Sequence, residues 1–192
     1  MVHLLKLLFL SAFTWLIFGV SSCDKDEHKV FFEGGTPPQL SGSLPSGAVL
    51  PMSYTTSNEE AVKLMWTNPN YQFNTGISSH DVTYYIDIDT AGSQFTNPSM
   101  QTLSVSKDLS KSFTQSELNG YLLNQLQLAV SMPHTIEMRV RSVLRNNTAP
   151  LVSNVLQYVV TPYAIPPKIT PPASGTLYIT GSATAGGWMG GG

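Results

Sequence analysis

The sequence predicts an all-β antiparallel sandwich with one short helix, placed after a signal peptide and a tether. Several segments alternate strictly between apolar and polar residues, which is the pattern of strands that bury one face. Turn-rich segments separate pairs of these strands, and this spacing favours an antiparallel arrangement over a parallel α/β sheet. One segment near residue 115 breaks the alternation and has helical spacing instead.

Four strands are predicted from the alternation alone. Their apolar positions are Val62, Leu64 and Trp66; Val82, Tyr84, Ile86 and Ile88; Ile136, Met138 and Val140; and Leu156, Tyr158 and Val160. Because successive side chains of a strand point to opposite faces, each set shares one face of its strand. We therefore expect these residues to face the core, the tryptophan among them.

The helix is predicted over residues 115–128. Thr114 is followed three residues later by Glu117, which is a capping-box pattern at a helix start. Leu118, Leu122 and Leu126 then follow at helical spacing. We expect this helix to cross between two strands and to close one end of the sandwich.

The N-terminus has the pattern of a bacterial lipoprotein signal. An apolar run of 14 residues extends from Leu7 to Val20, shorter than the roughly 20 residues that a membrane-crossing helix needs. It ends in Ser21-Ser22-Cys23, where small residues precede a cysteine that can accept lipid. Cys23 is the only cysteine of the chain, so no intramolecular disulfide can account for it. We predict a lipoprotein signal peptide at residues 1–22 and lipidation of Cys23.

Residues 23–35 are predicted to form a lipidated flexible tether, which begins with the charged run Asp24–Glu27. The signal peptide contains one of the 10 basic residues of the chain and none of the 12 acidic ones, which leaves a mature net charge near −3. A chain with this charge offers no basic surface for nucleic acid.

The C-terminal part contains a predicted domain boundary. Five prolines follow the last predicted strand, at positions 162, 166, 167, 171 and 172. Because proline lacks an amide donor and fixes φ, this segment should be extended and stiff. We predict a sandwich domain over residues 36–163, a linker over 164–175, and the first strand of a truncated second module within 176–192.

Several of these segments together resemble the SusE/SusF family of outer-membrane lipoproteins from starch-utilisation systems of the Bacteroidetes. The similar segments are Leu64–Pro69, Val82–Asp89, Ser153–Tyr163, and Leu177–Thr184 with Gly186–Trp188. The resemblance implies an immunoglobulin-like or fibronectin-III-like spacer domain over residues 36–163. It also implies that residues 176–192 open a carbohydrate-binding module, and that starch or a related glycan is held by such C-terminal modules. The acidic-leaning run after Cys23 resembles the signals that send lipoproteins of this group to the cell surface.

No catalytic residue, metal site or cofactor is predicted. The sequence contains no Gly-Xaa-Ser-Xaa-Gly motif, and His80 and His134 have no partners at metal-ligand spacing. Asp87 and Asp89 share one face of a strand, which is the spacing of paired carboxylates. Alternation places them opposite the core, where charged residues belong, and no third acid completes a calcium loop.

Trp188 is the candidate ligand-binding residue, because an aromatic ring among glycines can stack on the apolar face of a sugar. The alternative is that it belongs to the core of its module. Tyr71, Phe73 and Tyr163 are expected to be packing or domain-junction residues.

The sequence thus favours a non-enzymatic surface lipoprotein of a polysaccharide-capture system, working beside importer and enzyme proteins. The alternative is a structural or protein-interaction module that docks a partner in an outer-membrane complex.

The lipid anchor gives the first testable prediction. Replacing Cys23 with alanine removes the acyl chains that stable membrane attachment requires, so the protein should move from the membrane to the soluble fraction. Cell fractionation with immunoblotting measures this. A Cys23→Ala protein that still sediments with the outer membrane would show that something other than lipid holds it.

Overall fold

A computed structural model describes residues 29–167, so Cys23, Trp188, the signal peptide and segment 176–192 lie outside the described residues. Within them the chain forms eleven strands and one short α-helix. The strands are β1 (Phe32–Gly34), β2 (Leu40–Gly42), β3 (Glu60–Trp66), β4 (Gln72–Phe73), β5 (Gly76–Ile77), β6 (Thr83–Thr90), β7 (Gln101–Ser106), β8 (Ser110–Thr114), β9 (His134–Leu144), β10 (Thr148–Val152) and β11 (Leu156–Val160). The helix α1 (Gln115–Gly120) follows β8 and continues as a π-helical turn over Tyr121–Gln125.

Two antiparallel sheets face each other across the core. One has the strand order β2-β3-β8, and the other has the order β10-β9-β6-β7. β11 continues the β10 position, because it pairs with the first half of β9 while β10 pairs with the second half. A small third sheet, β1-β4-β5, lies beside them. The prediction of an all-β antiparallel sandwich is confirmed.

The core contains the side chains that the alternation selects. Of the predicted set, Val82 alone is only partly buried, and it lies just before β6. The others are fully buried, with Trp66 at 4 % exposure. Phe113 is also fully buried in the core; it belongs to β8, a strand that the sequence pattern did not predict. Both sheets therefore contribute their inner faces to a single core.

The helix begins where it was predicted and ends earlier. The Thr114 hydroxyl accepts the amide N–H of Glu117 at 3.1 Å, which confirms the capping interaction. The α-helix and its π turn end at Gln125, not at residue 128. Gln127 has a left-handed backbone with φ of 55°, a conformation that terminates a helix. Leu118, Leu122 and Leu126 are nonetheless buried against the core.

The folded part begins within the segment predicted as tether. β1 pairs antiparallel with β4, with Phe32 opposite Phe73. Thr36 then donates its amide N–H to the carbonyl of Pro69 at 2.7 Å. Residues 32–34 therefore belong to the domain. Their sequence did not reveal this, because a strand of three residues is too short to show alternation.

The helix cap generates the second prediction. Replacing Thr114 with alanine leaves the Glu117 amide without its acceptor and should lower the free energy of unfolding by about 1 kcal/mol. Urea unfolding followed by circular dichroism measures the change. Thr114→Ser keeps the hydroxyl and is the matched control. Equal destabilisation by serine and alanine would mean that the methyl group, not the cap, stabilises this turn.

Candidate functional site

Tyr71 holds the N-terminal segment of the domain in place; the sequence predicted it to be a packing or domain-junction residue. Its hydroxyl lies 2.9 Å from the carbonyl oxygen of Ser142 and 2.7 Å from that of Ala149. Burial raises the pKa of this phenol, against a smaller opposite effect of the Ser142 hydrogen bond. The side chain ties the small sheet that contains β1 to the second half of β9 and to β10. The chain therefore enters the domain at the Leu144 end of β9.

The chain leaves the domain at the opposite end of β9. Val160, the last residue of β11, pairs with His134, the first residue of β9. Beyond it, the fully buried side chain of Asn119 in α1 holds Tyr163 in two ways. Its amide nitrogen donates to the Tyr163 carbonyl, and its carbonyl oxygen accepts the Tyr163 amide, both at 3.0 Å.

This double hydrogen bond fixes the exit direction of the chain. The Tyr163 ring also packs edge-on against Tyr54, with centroids 6.2 Å apart. Tyr163 thus packs against the sandwich domain, which is one of the two roles expected from the sequence, and its role at a domain junction stays a prediction. Asn119 was missed, because a single polar residue within a helix carries no signal of a tertiary partner.

The points at which the chain enters and leaves the domain are far apart. β9 has 11 residues, and at about 3.3 Å per residue its ends lie about 33 Å apart. Entrance and exit therefore lie at opposite ends of one long strand, which is the geometry expected of a spacer domain.

Asp87 is the centre of an ionic cluster on the outer face of the larger sheet. Its carboxylate oxygens accept from Arg139 Nε at 3.0 Å and from Arg141 Nε and Nη2 at 2.6 and 2.9 Å. The Thr102 hydroxyl adds a fourth contact at 2.9 Å. Burial by itself raises the Asp87 pKa, but these hydrogen bonds, that of Arg141 foremost, outweigh it and hold the pKa below its usual value.

Asp89 organises the loop that follows its strand. Its carboxylate accepts the amide N–H of Thr90 at 2.7 Å and that of Asn97 at 3.4 Å. From this loop, the ring of Phe95 lies 4.0 Å from the guanidinium carbon of Arg139. The loop and the arginines thus cover the outer face at this point.

Both aspartates lie on the face opposite the core, as predicted, but they are fully buried and not among solvated charges. Alternation fixes a face and cannot show what covers it. The contacts of both carboxylates join neighbouring parts of the fold: Asp87 joins β6 to β7 and β9, and Asp89 joins β6 to the loop after it. Among residues 29–167, no group of three or more His, Cys, Asp or Glu side chains is placed to hold a metal ion.

A polar cleft opens at the start of β6, at the end of the sandwich opposite α1. It has a volume of about 260 Å³ and is lined by Asn68, His80, Asp81, Val82, Tyr84 and Lys107. Lys107 and Asp81 form an exposed ion pair at 3.2 Å. A second cleft of about 290 Å³ shares His80 and Asp81 and adds Thr83 and Arg145. The sequence singled out His80 only to exclude it as a metal ligand.

The hydroxyl of Tyr84 lies in the interior next to this cleft. It has no hydrogen-bond partner among the described residues, and the same holds for Nε1 of Trp66. The two rings are neighbours, with centroids 5.5 Å apart. Burial raises the pKa of Tyr84 to about 12, so the hydroxyl keeps its proton at physiological pH.

The ionic cluster generates the third prediction. Replacing Asp87 with asparagine should lower the free energy of unfolding at pH 7 by about 2 kcal/mol, less than for a fully buried pair, because the arginines can rehydrate. The Asp87 pKa is lower in the folded protein than in the unfolded chain, where it is about 3.9. The stabilisation is therefore complete above that pH and is lost as the pH falls through the folded-state pKa.

The difference in the free energy of unfolding between the original protein and Asp87→Asn should therefore become smaller below about pH 4. Urea unfolding at a series of pH values measures it. Asp81→Asn, which breaks only an exposed ion pair, is the matched control and should change stability little. A difference that stays constant down to pH 2 would contradict the assigned role of the carboxylate.

None of the helices within residues 29–167 has the length and apolar character needed to span a bilayer.

Comparison with known proteins tests the resemblance noted in the sequence. No curated protein matches the chain. The family model described as SusE outer membrane protein matches residues 25–141, a range that runs from before β1 into β9. The match confirms the predicted resemblance, and the chain belongs to the SusE outer membrane protein family, which locates it at the outer membrane.

Proposed function

We propose that this protein is a non-enzymatic lipoprotein of a polysaccharide-capture system, and that its sandwich domain is a rigid spacer. Cys23 carries the lipid anchor on one side of the domain. The glycan-binding part begins at residue 176 on the other side. The single observation that carries the proposal is that the described segment enters the domain beside the Leu144 end of β9 and leaves it beside the His134 end.

Rigidity follows from how both ends are held. Tyr71 fixes the entering segment through its hydroxyl, whose single proton is shared between the carbonyl oxygens of Ser142 and Ala149. Asn119 fixes the leaving segment through both backbone groups of Tyr163. The sequence that follows is rich in proline, which restricts the backbone and supports a stiff connection in this proposal. A ligand-binding part mounted in this way is held at a distance from the membrane.

Membership of the family supports the outer-membrane location, and the sequence from residue 176 onward supports glycan as the ligand. Starch or a related polysaccharide is the ligand that the resemblance implies. The C-terminal part would hold the polysaccharide for neighbouring importer and enzyme proteins.

A second candidate function is the docking of a protein partner. Val30, Phe31 and Ile77 are 61 %, 59 % and 71 % exposed, and they lie on or next to the small sheet where the chain enters the domain. Apolar groups exposed together can mark a protein interface. Under this function the sandwich would attach the protein to an importer or enzyme, and residues 29–163, which include this apolar surface, would retain such a partner without any glycan.

The glycan assignment gives the fourth prediction. Native affinity electrophoresis of the full-length protein should show retardation in gels that contain starch or another tested polysaccharide. Trp188→Ala should reduce the retardation, and Trp188→Tyr should keep most of it, because a tyrosine ring can still stack on a sugar. Retardation by none of the polysaccharides would remove the glycan assignment and leave the docking function. Equal retardation of all three proteins would remove Trp188 from the site.

A further inference from the structure

We propose that the small sheet β1-β4-β5 rests on the lipid surface beside the anchor, through an apolar patch formed by Val30, Phe31 and Ile77. This contact orients the sandwich domain, with the end where the chain enters on the membrane and the exit end away from it. The proposal rests on the proposed function in one respect, because it requires the acyl chains predicted on Cys23. The patch itself belongs to the described residues.

The register of the small sheet places part of the patch on its outer face. Phe32 and Phe73 lie opposite each other, so they share one face of the sheet. Ile77 lies opposite Gln72, the neighbour of Phe73, and is therefore on the other face. Phe31, the neighbour of Phe32, is on that other face as well. Phe31 and Ile77 are both more than half exposed, so this face presents apolar groups to its surroundings.

The inner face of the small sheet holds the patch firmly on the domain. The ring of Phe32 packs against those of Tyr71 and Phe73, with centroids 6.0 and 5.6 Å apart. The buried hydroxyl of Tyr71 in turn contacts the carbonyl oxygens of Ser142 and Ala149. A surface that binds the outer face therefore fixes the orientation of the whole sandwich.

The short chain between the patch and the anchor favours lipid as the partner. Cys23 and Phe31 are eight residues apart, and a fully extended segment of this length spans at most about 29 Å. With Cys23 held in the bilayer, the patch cannot move farther than this from the lipid. Three apolar side chains bind a membrane only weakly on their own, but the anchor makes their contact an intramolecular event.

The charges near the patch fit a lipid surface without net charge. Gln72, which lies opposite Ile77 on the outer face, is uncharged. The exposed charged residues of the entering segment are Lys29 and Glu33, one of each sign. A zwitterionic headgroup also has one charge of each sign, so burial of apolar area and not net charge drives the contact.

Two exposed apolar residues near the exit end provide internal controls. Val49 is paired with Val159 in β11, and Met132 lies two residues before β9 begins at His134. Both are more than half exposed, like the residues of the patch. They lie at the end of β9 that is far from the anchor, so the proposal expects neither of them to meet lipid.

The test uses the lipidated full chain, purified from membranes and reconstituted in phosphatidylcholine vesicles in which part of the lipid has a nitroxide on its acyl chain. Because Cys23 is the only cysteine and its thiol is acylated, an introduced cysteine is the only site for a fluorescent label. Thr75→Cys places the label in the exposed turn beside the patch, and Met132→Cys places it near the exit end. The nitroxide should quench the label at position 75 strongly and should leave the label at position 132 unquenched.

Substitutions show whether the patch makes the contact. Phe31→Ser together with Ile77→Ser should lower the ratio of membrane-contacting to free domains by at least about tenfold, because burial of these side chains favours contact. Val49→Ser, the matched control, shortens an exposed apolar side chain near the exit end and should leave quenching unchanged. The urea midpoints should stay close to that of the original protein, because exposed side chains contribute little to stability.

Three results would overturn the proposal. The first is equal quenching at positions 75 and 132, and the second is quenching at position 75 that survives the loss of both side chains. The third is a label at position 75 that is shielded from aqueous iodide but not quenched by the nitroxide lipid. That result would show a second protein on the patch in place of lipid.

Flotation of the same vesicles tests the anchor separately. A protein that floats with the vesicles but shows no quenching at position 75 disproves the contact and leaves the anchored spacer intact. A protein that does not float with the vesicles lacks the anchor and disproves both.

Discussion

β6 and β9 pair over eight register positions, from Thr83 opposite Val143 to Thr90 opposite Ile136, and the other parts of the domain are built on this pair. β7 adds to the free side of β6, and β10 and β11 add to the free side of β9. The inner side chains of the pair supply six of the 19 buried residues of the core cluster, against which the β2-β3-β8 sheet packs. The segments that enter and leave the domain are also held near opposite ends of β9.

Asp87 fixes the register of this pair. Asp87 lies opposite Arg139 on the outer face, and Arg141 reaches the same carboxylate. A slip of one residue would turn every side chain of β6 to the other face and would place Asp87 in the core. Burying a carboxylate there without its arginines is strongly unfavourable. The cluster thus contributes specificity of pairing, in addition to the modest net stability of an ion pair that is partly open to water.

The two ends of the sandwich differ, and the difference organises the molecule. α1 and the π-helical turn after it close one end with Leu118, Leu122 and, just beyond the turn, Leu126. α1 also supplies Asn119, which holds the leaving chain. At the other end, near the start of β6, lies the cleft that Tyr84 helps to line. The entering segment lies at this same end, through β1 and Tyr71. The helical segment thus both closes the core and holds the leaving segment, whereas Trp66 Nε1 and the Tyr84 hydroxyl at the other end have no hydrogen-bond partner among the described residues.

The sequence by itself determined the features that depend on local pattern: the four alternating strands, the capped helix start at Thr114, the core position of Trp66, and the resemblance to the family. These follow from side-chain periodicity and from a cap spanning three residues, which act over short distances along the chain. The predicted anchor at Cys23 and the role of Trp188 also come from the sequence alone, and they remain predictions. Short strands such as β1 and β4 were missed, because two or three residues cannot show a period.

Only the tertiary structure decided which groups meet across the chain. Asp87 meets arginines more than 50 residues away, Tyr163 meets Asn119 at a separation of 44, and Tyr71 meets Ser142 at 71. The burial of both aspartates, the fixed exit of the chain and the unpartnered hydroxyl of Tyr84 all depend on such contacts. Periodicity tells which face of a strand a residue occupies, but the neighbour on that face is set by strand order and register, which no local pattern encodes.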